Sequence, residues 1–128
     1  MRLLIDTHAL LWFLEGNEQV PRPMRALIDG DRNQIIVSAA TGWEIATKHR
    51  LGKLPSAEPI ASDIEANLLR LGFDVLPITM RHAQHAGALP GEHRDPFDRM
   101  LAAQAELERL VLVTRDPAFG LFGVETYW

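Results

Sequence analysis

The chain alternates short, apolar, β-rich runs with longer stretches of helical periodicity, and that alternation constrains its fold more than any other feature. Residues 2–5, 34–37, 74–76 and 110–114 are the runs, and residues 124–127 form a short last one. Most are continuous in Leu, Ile and Val rather than alternating with polar residues, which suits strands buried on both faces. Strand, helix and strand in succession imply right-handed βαβ units and a parallel sheet covered on both sides. The expected class is α/β, three layers about a parallel sheet of at most five strands. At 128 residues and 47% hydrophobic content, one domain spanning residues 1–128 can bury a single core.

The intervening stretches carry their own punctuation. Residues 7–15 form a first helix with Leu10, Leu11 and Leu14. Residues 21–29 form a second, entered through prolines and stopped by Asp29-Gly30-Asp31. Ser38 is placed to cap a third helix reaching about Arg50, with Gly52 as its stop. A polar helix is expected over residues 61–71, with Ile64, Leu68 and Leu71 at helical spacing. Another follows Thr79, a Gly/Pro-rich loop covers residues 87–91, and a strong helix runs over residues 96–109.

Composition narrows the functional classes. There is no cysteine, so disulfides and thiolate metal sites are excluded. The first fourteen residues are interrupted by Asp6 and His8, and no stretch approaches the roughly 20 apolar residues of a membrane span, so a cytoplasmic address without membrane contact is expected. A net charge of −4 disfavours a protein that coats nucleic acid through bulk charge, yet leaves room for an acidic site that gathers its own cations. Eleven of the thirteen basic residues are arginines, which suit forked contacts to phosphate.

In open parallel sheets, ligands gather beyond the carboxyl ends of the strands. Asp6 follows the first strand there, and Glu44 lies on the helix after the second, where helical side chains lean back toward the sheet end. Asp95 and Asp98 head the helix before the clearest strand, and Asp116 follows that strand. Each also has an ordinary structural use. Asp95 and Asp116 precede prolines and could cap helices, Asp98 would favour a helix dipole, Asp6 could cap the first helix, and Glu44 could pair with Lys48 one turn on. Carboxylates crowded on one rim repel one another, and a hard divalent cation such as Mg²⁺ or Mn²⁺ resolves the conflict.

At these positions the sequence resembles the PIN-domain family, in particular the VapC-type toxins of toxin–antitoxin pairs. The resemblance rests on Leu3-Leu4-Ile5-Asp6-Thr7-His8-Ala9-Leu10-Leu11-Trp12 and on Ser38-Ala39-Ala40-Thr41-Gly42-Trp43-Glu44-Ile45-Ala46-Thr47-Lys48. It continues through Asp95-Pro96-Phe97-Asp98-Arg99-Met100-Leu101-Ala102-Ala103-Gln104-Ala105 and Leu112-Val113-Thr114-Arg115-Asp116-Pro117-Ala118-Phe119, all in family order. Residues 53–94 carry no such signature. The resemblance implies a PIN-like sandwich and Mg²⁺- or Mn²⁺-dependent cleavage of RNA by metal-activated water. By position, Asp6, Glu44, Asp98 and Asp116 form the catalytic and metal-holding set, with Asp95 as a cap or support and Thr114 as a supporting hydroxyl. It also implies RNA as substrate, a cognate antitoxin as partner and a homodimer.

Arg94, Arg99 and Arg115 flank the acidic motifs and could contact RNA phosphates or balance nearby carboxylates. His8 and His93 lie near the rim without an assigned role. Trp12 and Trp43 could stack on bases, but their leucine and alanine neighbours favour core packing, and Trp128 could pack on a partner. Leu27, Ile28, Leu68 and Leu69 could face either an antitoxin or the chain's own core. Other classes fit less well. A phosphoacceptor receiver domain needs a late lysine, and Lys53 is the last here; an Asp-x-Asp phosphatase needs an aspartate where His8 stands. A domain of the same fold that binds RNA or a partner without cutting remains the alternative.

Overall fold

The computed structural model describes residues 1–92 and 95–128. His93 and Arg94 lie outside the described residues. Five strands, β1 (Arg2–Ile5), β2 (Gln34–Ser38), β3 (Asp74–Leu76), β4 (Val111–Val113) and β5 (Thr126–Tyr127), form one parallel sheet in the order β3-β2-β1-β4-β5. β1 is central, with Leu4 level with Ile36 on one side and Leu112 on the other. The chain builds outward from β1 to β3, then returns to β1's other edge with β4. The carboxyl ends of β1 and β4 therefore flank a topological switch point, where such sheets open a crevice.

The alternation of side chains along each strand divides the core in two. Leu3, Ile5, Ile35, Val37 and Val113 face a layer made by α1 (Thr7–Leu14), α2 (Arg22–Asp29), α3 (Ala39–Arg50), α4 (Glu58–Ala61) and α5 (Ile64–Arg70), represented by Leu10, Met24, Ile45, Ile60 and Leu68. Leu4, Ile36 and Leu112 face the opposite layer, where Leu101, Ala102 and Ala105 of α7 (Pro96–Glu108) join Phe119. α6 (Met80–Ala88) packs on α7 outside this second core. The architecture is the expected three-layer α/β/α sandwich.

Capping follows the sequence closely. The Ser38 hydroxyl accepts from the Ala40 amide at 2.9 Å, and the Asp95 carboxylate accepts from the amides of Phe97 and Asp98 at 2.9 and 3.3 Å. Gly52, at φ +73°, lets the Lys53 amide turn back to the Lys48 carbonyl at 2.8 Å and closes α3.

The helix expected over residues 61–71 is α5, which starts later, at Ile64, because Ala61 ends the separate α4. Asp63 caps it: its carboxylate accepts from the Ala66 amide at 3.0 Å, and this local bond starts α5. The helix that Asp116 could cap is a 3₁₀ helix, Pro117–Phe122. Ile28 and Leu68 lie in the core and are unavailable to a partner, Leu27 is half-buried against it, and Leu69 faces solvent.

Leu68 is 2% exposed and its neighbour Leu69 56%. Leu68→Ala should therefore cost about 2–5 kcal/mol in urea denaturation, whereas Leu69→Ala should change stability by no more than about 0.5 kcal/mol. Comparable losses would contradict the assigned faces of α5.

Candidate functional site

Asp6 is set at the switch point by the sheet itself. Its amide donates to the Val113 carbonyl at 3.0 Å, continuing the β1–β4 ladder by one residue. Its side chain is buried, 7% exposed, and both carboxylate oxygens have partners: one accepts from the Ala9 amide at 2.7 Å, capping α1, and the other from the Thr114 hydroxyl. Thr114 lies at the end of β4 and also accepts from the Asp116 amide at 3.0 Å. One hydroxyl thus ties Asp6 to the turn carrying Asp116, whose carboxylate caps that turn through the Ala118 amide at 2.9 Å. An open hollow of 340 Å³ lies over this group, bounded by Asp6, His8, Trp12, Arg115, Asp116 and Pro117.

Burial pushes the Asp6 carboxyl above the ordinary carboxylate range. The Thr114 and Ala9 hydrogen bonds and the nearby His8 oppose this without cancelling it, and the charge of Asp116 adds to the upward shift.

Glu44 is held on the neighbouring side. It is 3% exposed; one oxygen accepts from the Thr7 hydroxyl at 2.6 Å, and the other is ion-paired to Lys48 one helical turn later. Thr7 also lies 3.2 Å from the Thr41 hydroxyl, so β1's exit and α3 are joined by two threonines and a glutamate. Partial burial works against the Lys48 ammonium. The hydrogen bond and charge of Glu44, with the charges of Asp95 and Asp98, outweigh it and raise the lysine's pKa. The half-buried Asp98 in the first turn of α7 therefore belongs electrostatically with Lys48, Glu44 and Asp95. Among the described residues, no three carboxylate or imidazole side chains stand close enough in this arrangement to hold a metal between them.

The remaining candidates separate cleanly. Arg115 is exposed at the hollow, donates to the Gln19 side chain and lies over the Trp12 ring at 5.8 Å. Arg99 points elsewhere: its guanidinium donates to the carbonyls of Ala86 at 3.1 Å and of Leu89, tying α6 to α7. Trp43 is 61% exposed, against the expectation of core packing, and meets Phe97 edge-on at 4.9 Å. Trp12 is half-buried between His8 and Trp128. Trp128 thus packs on this chain's own Trp12. Thr7 and Thr41 were not singled out from the sequence; the hydroxyl directly after Asp6, facing the helix that carries Glu44, was the available signal.

The Asp6 shift has a testable sign. An acid whose folded pKa is raised contributes stability that is fully present below its unfolded pKa of about 3.9 and is lost as pH rises through the folded pKa. Asp6→Asn should therefore melt above wild type in metal-free buffer at neutral pH, with the gap narrowing as pH falls toward 4. A wild type at least as stable as the variant at neutral pH would contradict the burial cost assigned to this carboxylate.

The PIN domain family model matches residues 3–123. Ribonuclease VapC16 of Mycobacterium tuberculosis is 44% identical over 64 residues, 50% of this chain and 45% of that protein, so the chain spans less than half of that relative's length. The solved structure of FitAcB from Neisseria gonorrhoeae superposes with a TM-score of 0.72 at 25% identity, covering 98% of this chain and 96% of that one. A toxin-antitoxin complex from Klebsiella pneumoniae gives 0.62 at 23%, covering 89% and 86%. The family match runs from the second residue of β1 to the turn before β5, over the same fold as these structures, and the chain belongs to the PIN domain family.

Proposed function

We propose that this chain is a metal-dependent endoribonuclease acting as the toxin of a toxin–antitoxin pair, with residues 1–128 forming one PIN domain. The observation that carries the reading is Asp6, a buried carboxylate whose pKa is raised, aligned by Thr114 and the Ala9 amide at the mouth of an open hollow that Asp116 shares. The 44% identity to Ribonuclease VapC16 over half of the chain supports it.

The donor set suits a hard cation. Asp6, Glu44, Asp98 and Asp116 offer only oxygen, threonine hydroxyls stand behind two of them, and the chain has no cysteine. These four would hold Mg²⁺ or Mn²⁺. The chemistry supplied by the bound ion is neutralisation of charge on the phosphate and acidification of a water.

The chain's own residues do the rest. Thr114 fixes the rotamer of Asp6 and, through the Asp116 amide, the position of the neighbouring carboxylate. Thr7 and Lys48 fix Glu44. Asp95 caps α7 and sets Asp98 in its first turn, so its part is support. Arg115 is exposed at the hollow and braced over Trp12, and in this reading it would meet an RNA phosphate. Arg99 serves the α6–α7 junction instead. In the described residues no helix is long and apolar enough to cross a membrane.

A nuclease of this kind must be kept silent, and an antitoxin is the proposed partner, with homodimerisation as the proposed assembly. A toxin-antitoxin complex among the solved structures of this fold supports the first. The physical logic of silencing is that a partner's cation placed at the rim would pair with its carboxylates and compete with the metal.

Asp6→Asn and Asp98→Asn should each reduce cleavage of RNA in Mn²⁺ by more than the roughly 10–100-fold cost of losing an outer partner of a metal ligand, with circular dichroism unchanged. Asp95→Ser preserves a capping oxygen and should retain most activity, whereas Asp98→Ser should not. Equal losses at both positions, with unchanged melting, would move Asp95 into the metal-holding set.

Expression of the chain alone should slow growth, Asp6→Asn should relieve the arrest, and co-expression with the small protein encoded next to it should give a stable complex with little ribonuclease activity. A harmless isolated chain without a neighbouring binding protein would end the toxin assignment while leaving a housekeeping nuclease intact.

A further inference from the structure

The carboxylates of the rim fall into two groups that differ in what balances them. Asp6 and Asp116 interact with each other, and their hydrogen-bond donors are neutral: the Thr114 hydroxyl and the amides of Ala9 and Ala118. Neither carboxylate takes part in an ion pair among the described residues. Glu44, by contrast, carries a full ion pair with Lys48.

That lysine reaches further than one partner. Its nitrogen stands 6.0 Å from the centre of the Phe97 ring, and Phe97 lies between the Asp95 cap and Asp98 at the head of α7. The ammonium therefore sits where α3 meets the start of α7, facing the carboxylates of both helices. Its side chain is 30% exposed and its partner's 4%, so solvent screens the pair less than it would at an open surface. Lysine is also the minority cation here, one of two beside eleven arginines. A compact ammonium stands among several carboxylates at once, and a guanidinium in its place would keep the same charge.

We propose that Lys48 is a resident cation of the acidic rim, standing where a second divalent ion would otherwise be drawn, so that the chain takes up a single metal ion. This rests on the metal-dependent reading above and deepens it. A monovalent charge fixed by the fold is present at every moment, whereas a dissolved ion must be captured and partly dehydrated. Lys48 thus offsets part of the charge that Glu44 and its neighbours carry, and what the four carboxylates retain draws one ion rather than two. Lys48 acts here as a positioning residue: it holds Glu44 and sets how many ions the rim accepts.

The test is calorimetric titration of MnCl₂ into the metal-free full chain at fixed ionic strength, with melting curves to confirm folding. Wild type should bind one Mn²⁺, and Asp6→Asn none. Lys48→Met should bind a second equivalent, or bind the first about tenfold tighter, because ligand charge sets affinity at such sites. Lys48→Arg, which keeps the charge, should restore single occupancy. Lys53→Gln, which removes the same charge from an exposed position, should match wild type. Should Lys48→Met fail to fold, Lys48→Gln carries the same expectation.

Two equivalents in wild type would overturn the proposal, as would an equal response to Lys53→Gln. Unchanged stoichiometry and affinity in Lys48→Met, with binding still lost in Asp6→Asn, would overturn it too and leave the nuclease reading standing. Absence of Mn²⁺ binding in both wild type and Lys48→Met would remove the metal reading and this proposal together. Binding by Lys48→Met alone would overturn the single occupancy assigned to wild type.

Discussion

A carboxylate buried at the end of a central strand has to be satisfied by something, because an unpaired charge removed from water costs several kcal/mol. At Asp6 the fold supplies the N-terminus of α1 on one oxygen and the Thr114 hydroxyl on the other. Both donors depend on the sheet order: Thr114 reaches Asp6 because β4 returns to lie beside β1. The same order opens the crevice at the strand ends. The helix entry, the β1–β4 pairing and the placement of Asp116 therefore all converge on one side chain. Even so, burial keeps its pKa raised, so the folded protein retains an acidic group that a cation would stabilise.

The second half of the rim meets the same constraint by another route. Glu44 is buried on a helix rather than a strand end, and its charge is met by a lysine one turn away and by Thr7 just beyond the end of β1. Neutral donors at Asp6 and a charged one at Glu44 make the rim electrostatically lopsided. Beside it, the exposed Trp43 and the edge of Phe97 form an apolar wall with Ile78 and Met100 around a 180 Å³ hollow.

Much of this was legible in the sequence because the relevant signals are local. β1 and β2 read as strands since both faces are buried and the apolar run is nearly unbroken, and the caps at Ser38 and Asp95 are short-range hydrogen bonds. The Glu44–Lys48 pair follows from i,i+4 spacing alone. The failures have physical causes as well. Asp63 sets the later start of α5 through one side-chain bond that periodicity cannot register. The Arg99 bonds to the carbonyls of Ala86 and Leu89 are long-range and carry no local signal. Trp43 has apolar neighbours along the chain, but its ring projects from a position of α3 that solvent reaches. Thr7 and Thr41 required knowledge of which strand exit faces which helix, a long-range fact.

The central claim is that the rim around Asp6 hydrolyses RNA only with a divalent ion in place. The most direct measurement follows one labelled RNA incubated with the purified wild-type chain after exhaustive chelation, and again after Mn²⁺ or Mg²⁺ is restored. The account predicts no cleavage by the chelated protein and recovery on adding either ion, with products ending in 5′-phosphate and 3′-hydroxyl. Undiminished cleavage in chelator, or none at any metal concentration by a folded protein, would contradict it.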